Sequence, residues 1–264
     1  MSQVLALCAL AVLVYMTAVF LLALILKDNS IVDVAWGPGF ILVAALSLAL
    51  GPDIGRRPWL ITALVVMWGA RLAAHILIRR KGQGEDFRYA QWRRSGGRSF
   101  VLRSYSQIFL LQGVFLLIIA VPIMRINASA VPRLGAWDGL GAAVWVLGFL
   151  FEVVGDAELE RFKMNPQNKG RIMTSGLWRT TRHPNYFGEA AMWWGIFIIS
   201  LSVPKGWLGL VSPVLITFLL TKVSGVPMLE KKYAGRVDFA AYARRTSAFI
   251  PWFPRRDDKA GRAS

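Results

Sequence analysis

One cysteine and two histidines are all that 264 residues contain of either type, and this scarcity excludes several chemistries. Cys8 has no second cysteine for an internal disulfide, and it sits in an apolar block as a small filler. His75, His183 and one thiol are too few for a zinc or iron site built on nitrogen and sulfur ligands, so no metal is expected. No GxGxxG follows a strand pattern, which excludes a Rossmann cofactor domain, and GxSxG and HExxH are absent as well. Acids are also few: 15 Asp and Glu face 31 Lys and Arg, a formal net charge of +16. Most of those cations flank apolar blocks, where lipid headgroups and orientation explain them and no nucleic acid is required. Residues 2–26 carry no charge and lack the basic n-region of a cleavable signal peptide, so they are expected to stay as a helix. No repeat, Gly/Ser linker or low-complexity tract divides the chain, which predicts one domain over 1–254 and a polar tail over 255–264.

What is present in abundance is apolar sequence, 55% of the chain, arranged in blocks long enough to cross a bilayer. Runs bounded by charge, Gly or Pro predict seven spans near 2–26, 32–50, 58–79, 106–124, 136–155, 186–203 and 206–223. Lys and Arg number eight between Arg79 and Arg103, six between Arg161 and Arg182 and ten from Lys222 onwards, but two in 125–135 and one in 204–205. The positive-inside rule then puts the N-terminus outside and the C-terminus in the cytoplasm, the alternation that seven spans require. The expected fold class is all-α: a polytopic, seven-transmembrane-helix bundle in a bacterial inner membrane, with a monomer as the expected state.

Charges inside such spans are costly and therefore point to function. Glu152, Asp156 and Glu160 recur every four residues, so a continuing helix sets them on one face with Lys163 nearby. The polar run Asn165–Glu189 ends in a helix opened by Pro184. Arg179, Arg182 and His183 precede that start, and with Lys163, Lys169 and Arg171 they could surround an anion such as a cofactor phosphate; cytoplasmic cations facing headgroups are the competing explanation. Asn185 and Glu189, four apart, lead from this mouth into the membrane. Arg71 and His75 form another four-residue pair, and Asp33 opens the second span; buried packing partners are the plainer account of all three. The segment Lys81–Arg94 is either a lid or an interfacial loop. Tyr233 and Tyr242 could close over a nucleotide, with interfacial anchoring as the alternative.

The stretches SGLWRTTRHPNYFGEAAMWWG, FEVVGDAELERFK and AFIPWFP resemble the C-terminal half of the membrane-embedded steroid 5-alpha-reductases. DVAWGPGF and WGARLAAHILIRRKGQGEDFRY extend the resemblance, over most of the chain, to their bacterial relatives. It implies a seven-helix reductase using NADPH to saturate an enone in a lipid such as a 3-oxo-Δ4-steroid. Asp156, Lys163, Asn185 and Glu189 would hold the cofactor, with Asn185 and Glu189 near the nicotinamide. Glu152 stands where the steroid enzymes have an asparagine, and Arg71 and His75 would border the same site. Asp33 would replace the glutamate that polarises the substrate ketone, and Trp68 falls near the place of the family's tyrosine. Arg171, Arg179, Arg182, His183 and Tyr233 complete the expected cofactor set, and Asp33 and Glu189 are the expected catalytic pair. RHPNY is also similar to a segment of the isoprenylcysteine carboxyl methyltransferases, which use S-adenosylmethionine, so methyl transfer is the alternative.

Overall fold

The computed structural model describes every residue except 53–54, 83, 87–88, 92, 94–96, 132 and 256–264. Arg88 and the tail beyond Arg255 therefore lie outside the described residues. The chain divides into two compact units, Met1–Gly139 with Phe197–Ser212, and Leu140–Ile196 with Pro213–Ser264. Among the described residues there is no strand.

Six helices are long and apolar enough to cross a membrane: α1 (Ser2–Leu26), α2 (Ile31–Ala49), α3 (Arg56–Arg80), α4 (Phe100–Ile119), α6 (Ala136–Met164) and α8 (Gly206–Lys232). They make the chain a multi-pass membrane protein. Three shorter helices complete the order: α5 (Val121–Asn127), α7 (Pro184–Ser200) and α9 (Val237–Arg245). The expected spans and observed helices agree to within a few residues except at three places, one of them the last, where α8 runs on to Lys232, past the expected end at 223. The fourth span starts earlier, at Phe100, and breaks at Ala120, where Pro122 suits only the first turn of a new helix, α5. The fifth runs on to Met164, because the stripe of Glu152, Asp156 and Glu160 continues the helix beyond its apolar part.

In the first unit, α1 buries Val4, Cys8, Val12, Met16, Phe20 and Ala23, one side chain per turn, and leaves Leu10, Leu13, Val14 and Ile25 exposed as a lipid-type surface. Helices α2 and α3 approach at Gly37 and Gly69. A Cβ on Gly37 would stand 2.2 Å from the Gly69 carbonyl oxygen, so only the missing side chain allows this crossing. At the other end of α3, the buried Arg57 donates to both carboxylate oxygens of Asp138, at 2.7 and 2.9 Å. It also donates to the carbonyls of Val131 and Arg133, tying α3 to the loop ahead of α6.

In the second unit, α6 and α7 run antiparallel along a glycine seam. Gly141 meets Gly195, Gly148 meets Gly188, and Gly155 meets Pro184. The seven-residue spacing of Gly141, Gly148 and Gly155 keeps one face of α6 bare over two heptads, so the backbones touch. A Cβ on Gly188 would lie 2.4 Å from Gly148 O and 2.6 Å from Glu152 N, backbone atoms that cannot step aside. Gly188→Ala is expected to cost about 1–3 kcal/mol despite the better helix propensity of alanine. Gly139→Ala, with nothing within 4 Å of its Cβ, is expected to be neutral or slightly stabilising. Thermal melts in detergent check both, and a Gly188→Ala protein that melts at or above the wild-type temperature overturns the seam.

Candidate functional site

Each unit carries a polar cluster. In the first, α1 ends with Lys27 in the left-handed region (φ 53°), and the turn into α2 is held by Asp28. Asp28 accepts from Ser30 N and Ser30 Oγ, at 2.9 and 2.6 Å, and from Arg80 Nη2 at 2.6 Å. Burial opposes ionisation of this carboxyl, but the Ser30 and Arg80 hydrogen bonds outweigh it and hold its pKa below the usual value.

The segment after α3 then folds back over this turn. Glu85 accepts from Asn29 N at 2.9 Å and is gripped by Arg93 through two 2.9 Å bonds. Asp86 N donates to Ser30 Oγ at 2.9 Å. These contacts bring Tyr89 in, and its hydroxyl donates to Asp33 Oδ1 at 3.1 Å. The described residues Glu85, Asp86 and Tyr89 of Lys81–Arg94 thus lie against the turn into α2. Tyr89 was not singled out in the sequence as a partner of Asp33, since 56 residues separate them and only the Glu85 and Asp86 anchors create the pairing.

Asp33 also sits in the first turn of α2, where a carboxylate complements the helix dipole. With Gly37 opposite Gly69 in an antiparallel pair, Asp33 is level with residue 73, between the turns of Arg71 and His75. All three are half-buried, and none is without a partner. Trp68 is buried and meets Phe40 edge to face, at 5.5 Å between ring centroids, which is a packing contact.

In the second unit the α6–α7 seam aligns the predicted acids with the predicted amide. Glu152 packs against Gly188, and Asp156 Oδ1 accepts from Asn185 Nδ2 at 3.1 Å. Glu152 and Asp156 are 4% and 8% exposed, so this is a buried carboxylate pair with an amide donor, and Glu189 follows one turn further along α7. The connector to α7 is pinned to α6. Glu158 accepts from Leu177 N at 2.9 Å, Trp178 Nε1 donates to Gly155 O at 3.0 Å, and Gly176 takes a φ of 61° with no room for a side chain beside the Glu158 carboxylate. Glu158 is thus a clamp.

Lys163, Arg171 and Arg179 are exposed, whereas Arg182 and His183 turn towards the end of α8. Arg182 Nε donates to Glu230 Oε1 at 2.8 Å, and its Nη1 donates to the carbonyls of Ala243 and Thr246. His183 Nε2 lies 3.2 Å from the same Glu230 oxygen, its ring stacks on Tyr186, and its Nδ1 is buried without a hydrogen-bond partner. Glu230, the lone acid of α8, is the organiser that sequence reasoning missed; its isolation among apolar and basic residues was the available signal. Tyr233 stacks on Phe239 at 5.4 Å beneath Arg236, a setting of aromatic packing. Asp33, Arg71 and His75 belong to the first unit, and all the other predicted site residues to the second.

Burial lowers the His183 pKa below the ordinary 6.5, more than Glu230 raises it. The unfolded chain then binds a proton at a higher pH than the folded one, so the folded state loses stability as the pH falls below 6.5. Thermal melts at pH 7.5 and 5.5 are expected to show a drop that His183→Gln removes; an equal drop in the variant overturns this assignment.

A family model described as a protein of unknown function, DUF1295, matches residues 19–246. The chain is 28% identical over 223 residues to the uncharacterized protein C594.04c of Schizosaccharomyces pombe, covering 70% of this chain and 63% of that protein. It thus spans less than two thirds of that relative's length. A shorter stretch of 46 residues is 41% identical to a probable O-methyltransferase, ustE, of Ustilaginoidea virens, covering 17% of this chain and 16% of the other. No solved structure matches. With the family model extending from residue 19 to residue 246, the chain belongs to the DUF1295 family, which is related to steroid 5-alpha reductase-like membrane proteins.

Proposed function

We propose that the protein is a membrane-embedded, NADPH-dependent reductase that transfers a hydride to the C=C of an α,β-unsaturated ketone in a lipid, a 3-oxo-Δ4-steroid being the leading class. The observation that carries this is the buried Asp156–Asn185 pair at the opening of α7, flanked by Glu152 and Glu189 and preceded by exposed cations. The donor set fits a phosphorylated dinucleotide. Ribose hydroxyls and a carboxamide need buried acceptors, phosphates need cations, and the buried Nδ1 of His183 is a ring nitrogen with capacity to spare.

In this proposal Asn185 and Glu189 orient the nicotinamide, Glu152 and Asp156 take hydroxyl or amide donors, and Lys163, Arg171 and Arg179 face the phosphates. NADPH, when bound, supplies the hydride. Asp33 is the proposed proton donor of the reaction, and Tyr89 is its hydrogen-bond partner. Helix α7 completes seven crossings, with the N-terminus outside, the C-terminus in the cytoplasm and a bacterial inner membrane as the site.

Purified protein is expected to oxidise NADPH with at least one member of an enone panel and to melt at a higher temperature in its presence; failure of both sinks the proposal. The stretch shared with a probable O-methyltransferase favours one rival, S-adenosylmethionine-dependent methyl transfer. Retention on S-adenosylhomocysteine resin but not on NADP resin would select that rival.

A further inference from the structure

At the end of the first unit where α3, α6 and α8 begin, three large aromatic side chains that the proposed reaction does not use stand out from the surface. Trp59, Trp137 and Trp207 are 56%, 51% and 65% exposed, each at the start of its helix. We propose that these tryptophans form an interfacial belt that seats the unit at the headgroup level of one membrane leaflet.

The fold brings the three to one level. Arg57 donates to Asp138 Oδ1 at 2.7 Å and to the carbonyls of Val131 and Arg133, so Trp59, two residues on, emerges at the height of Trp137. Helix α5 ties the start of α8 to the same end. Asn127 Nδ2 donates to Ser47 Oγ near the end of α2, at 2.9 Å, and the Asn127 carbonyl lies against Gly51 in the turn that leads to α3. Arg125 then donates to the carbonyl of Pro204, three residues before Trp207. Every residue in these contacts belongs to the first unit.

The surroundings of each ring select a bilayer as the partner. Exposed Arg56, Arg133 and Lys205 precede Trp59, Trp137 and Trp207 by three, four and two residues. An indole has an apolar body and one N–H donor, so it settles where acyl chains meet headgroups, and a cation a turn away reaches the phosphates.

Beyond each ring the helix turns only apolar side chains outwards. On α3 the exposed positions after Trp59 run from Ala63 through Val66 and Ala70 to Ile78, and exposed Arg79 ends the stripe. From Trp59 to Ile78 the helix rises about 29 Å, at about 1.5 Å per residue, which matches a hydrocarbon core about 30 Å thick. Exposed Leu140 and Leu147 follow Trp137 on α6, and Leu210 and Val214 follow Trp207 on α8. The belt is thus continuous with surface of the kind that faces lipid, and it sets the depth of the polar residues on α3. Arg71 and His75 stand about 18 and 24 Å beneath Trp59, inside the core and nearer its far edge. This inference rests on the membrane-protein assignment and is independent of the reductase proposal.

The test uses the full chain in phosphatidylcholine vesicles whose acyl chains carry bromine near the headgroup, midway or at the tip, so that fluorescence quenching reads the depth of an indole. Because the chain has 11 tryptophans, the three are read as a difference between the wild type and W59F/W137F/W207F, which keeps an apolar ring at each site. The emission lost in the variant is expected to be quenched most by bromine near the headgroup, least by bromine at the chain tip, and little by aqueous iodide. W59F, W137F and W207F singly give the same comparison if the triple variant does not fold. A lost component that iodide quenches as strongly as free tryptophan amide puts the rings in water and overturns the proposal, as does one quenched most at the chain tip. A component that no quencher reaches also overturns it, since protein then covers the rings. A wild-type dimer by light scattering that becomes a monomer in the variant would identify that cover as a second copy of the chain.

Discussion

In the proposed reductase, Tyr89→Phe is expected to lower enone turnover by roughly 10²- to 10³-fold, the size of loss seen when a hydrogen bond that supports a developing oxyanion is removed. The substitution deletes only the hydroxyl that stands 3.1 Å from Asp33 Oδ1 and keeps the half-buried ring. Folding should therefore be little changed, and the NADPH-induced thermal shift should persist, because the expected cofactor residues other than Arg71 and His75 belong to the other unit. Asp33→Asn should fall by a similar factor, since an amide accepts the hydroxyl without serving as its proton partner. The double variant should be hardly worse than either single one, as groups that act together do not add. Initial rates at saturating NADPH give the answer. Wild-type kcat in Tyr89→Phe would remove the pair from the mechanism and return its hydrogen bond to the category of loop anchors, beside Asn29–Glu85 and Ser30–Asp86.

A second large effect is expected far from any chemistry. Arg57 and Asp138 are 3% and 2% exposed, and each has its remaining capacity filled, Arg57 by the carbonyls of Val131 and Arg133 and Asp138 by Gly135 N at 2.7 Å. Arg57→Met leaves a buried carboxylate without its cation, which costs about 3–5 kcal/mol. At this chain length, that is a fall of roughly 6–20 °C in Tm. The double variant Arg57→Met/Asp138→Leu removes both charges and should recover much of the loss. If the double variant melts as low as the single one, the carbonyl contacts of Arg57 dominate and its pairing with Asp138 is secondary.

Much of the candidate site's geometry was legible because its residues lie on one helix face or at one helix start. Glu152 and Asp156 four apart, and Asn185 and Glu189 four apart, follow directly from helical periodicity. Their meeting depends on glycines whose role a linear reading does not reveal. Gly148, Gly155 and Gly188 look like ordinary small residues in apolar runs, and only the antiparallel register brings Asn185 to Asp156. The cations before α7 were grouped by proximity in sequence as an anion mouth. The structure divides them, leaving Lys163, Arg171 and Arg179 exposed while Glu230, 48 residues after Arg182, draws Arg182 and His183 towards α8.

Chain order alone determined that this is a helical, multi-pass membrane protein, which side chains stand in costly positions, and where each long helix lies. These follow from lengths of apolar sequence and from periods of 3.6 residues, both local properties. The tertiary structure alone decided the partners: Tyr89 for Asp33, Glu230 for Arg182 and His183, and Asp138 for Arg57. The reason is physical. A buried polar group must find a complementary atom wherever the fold supplies one. Which distant residue supplies it depends on how closely two backbones can approach, and here bare glycines at the helix crossings set that distance.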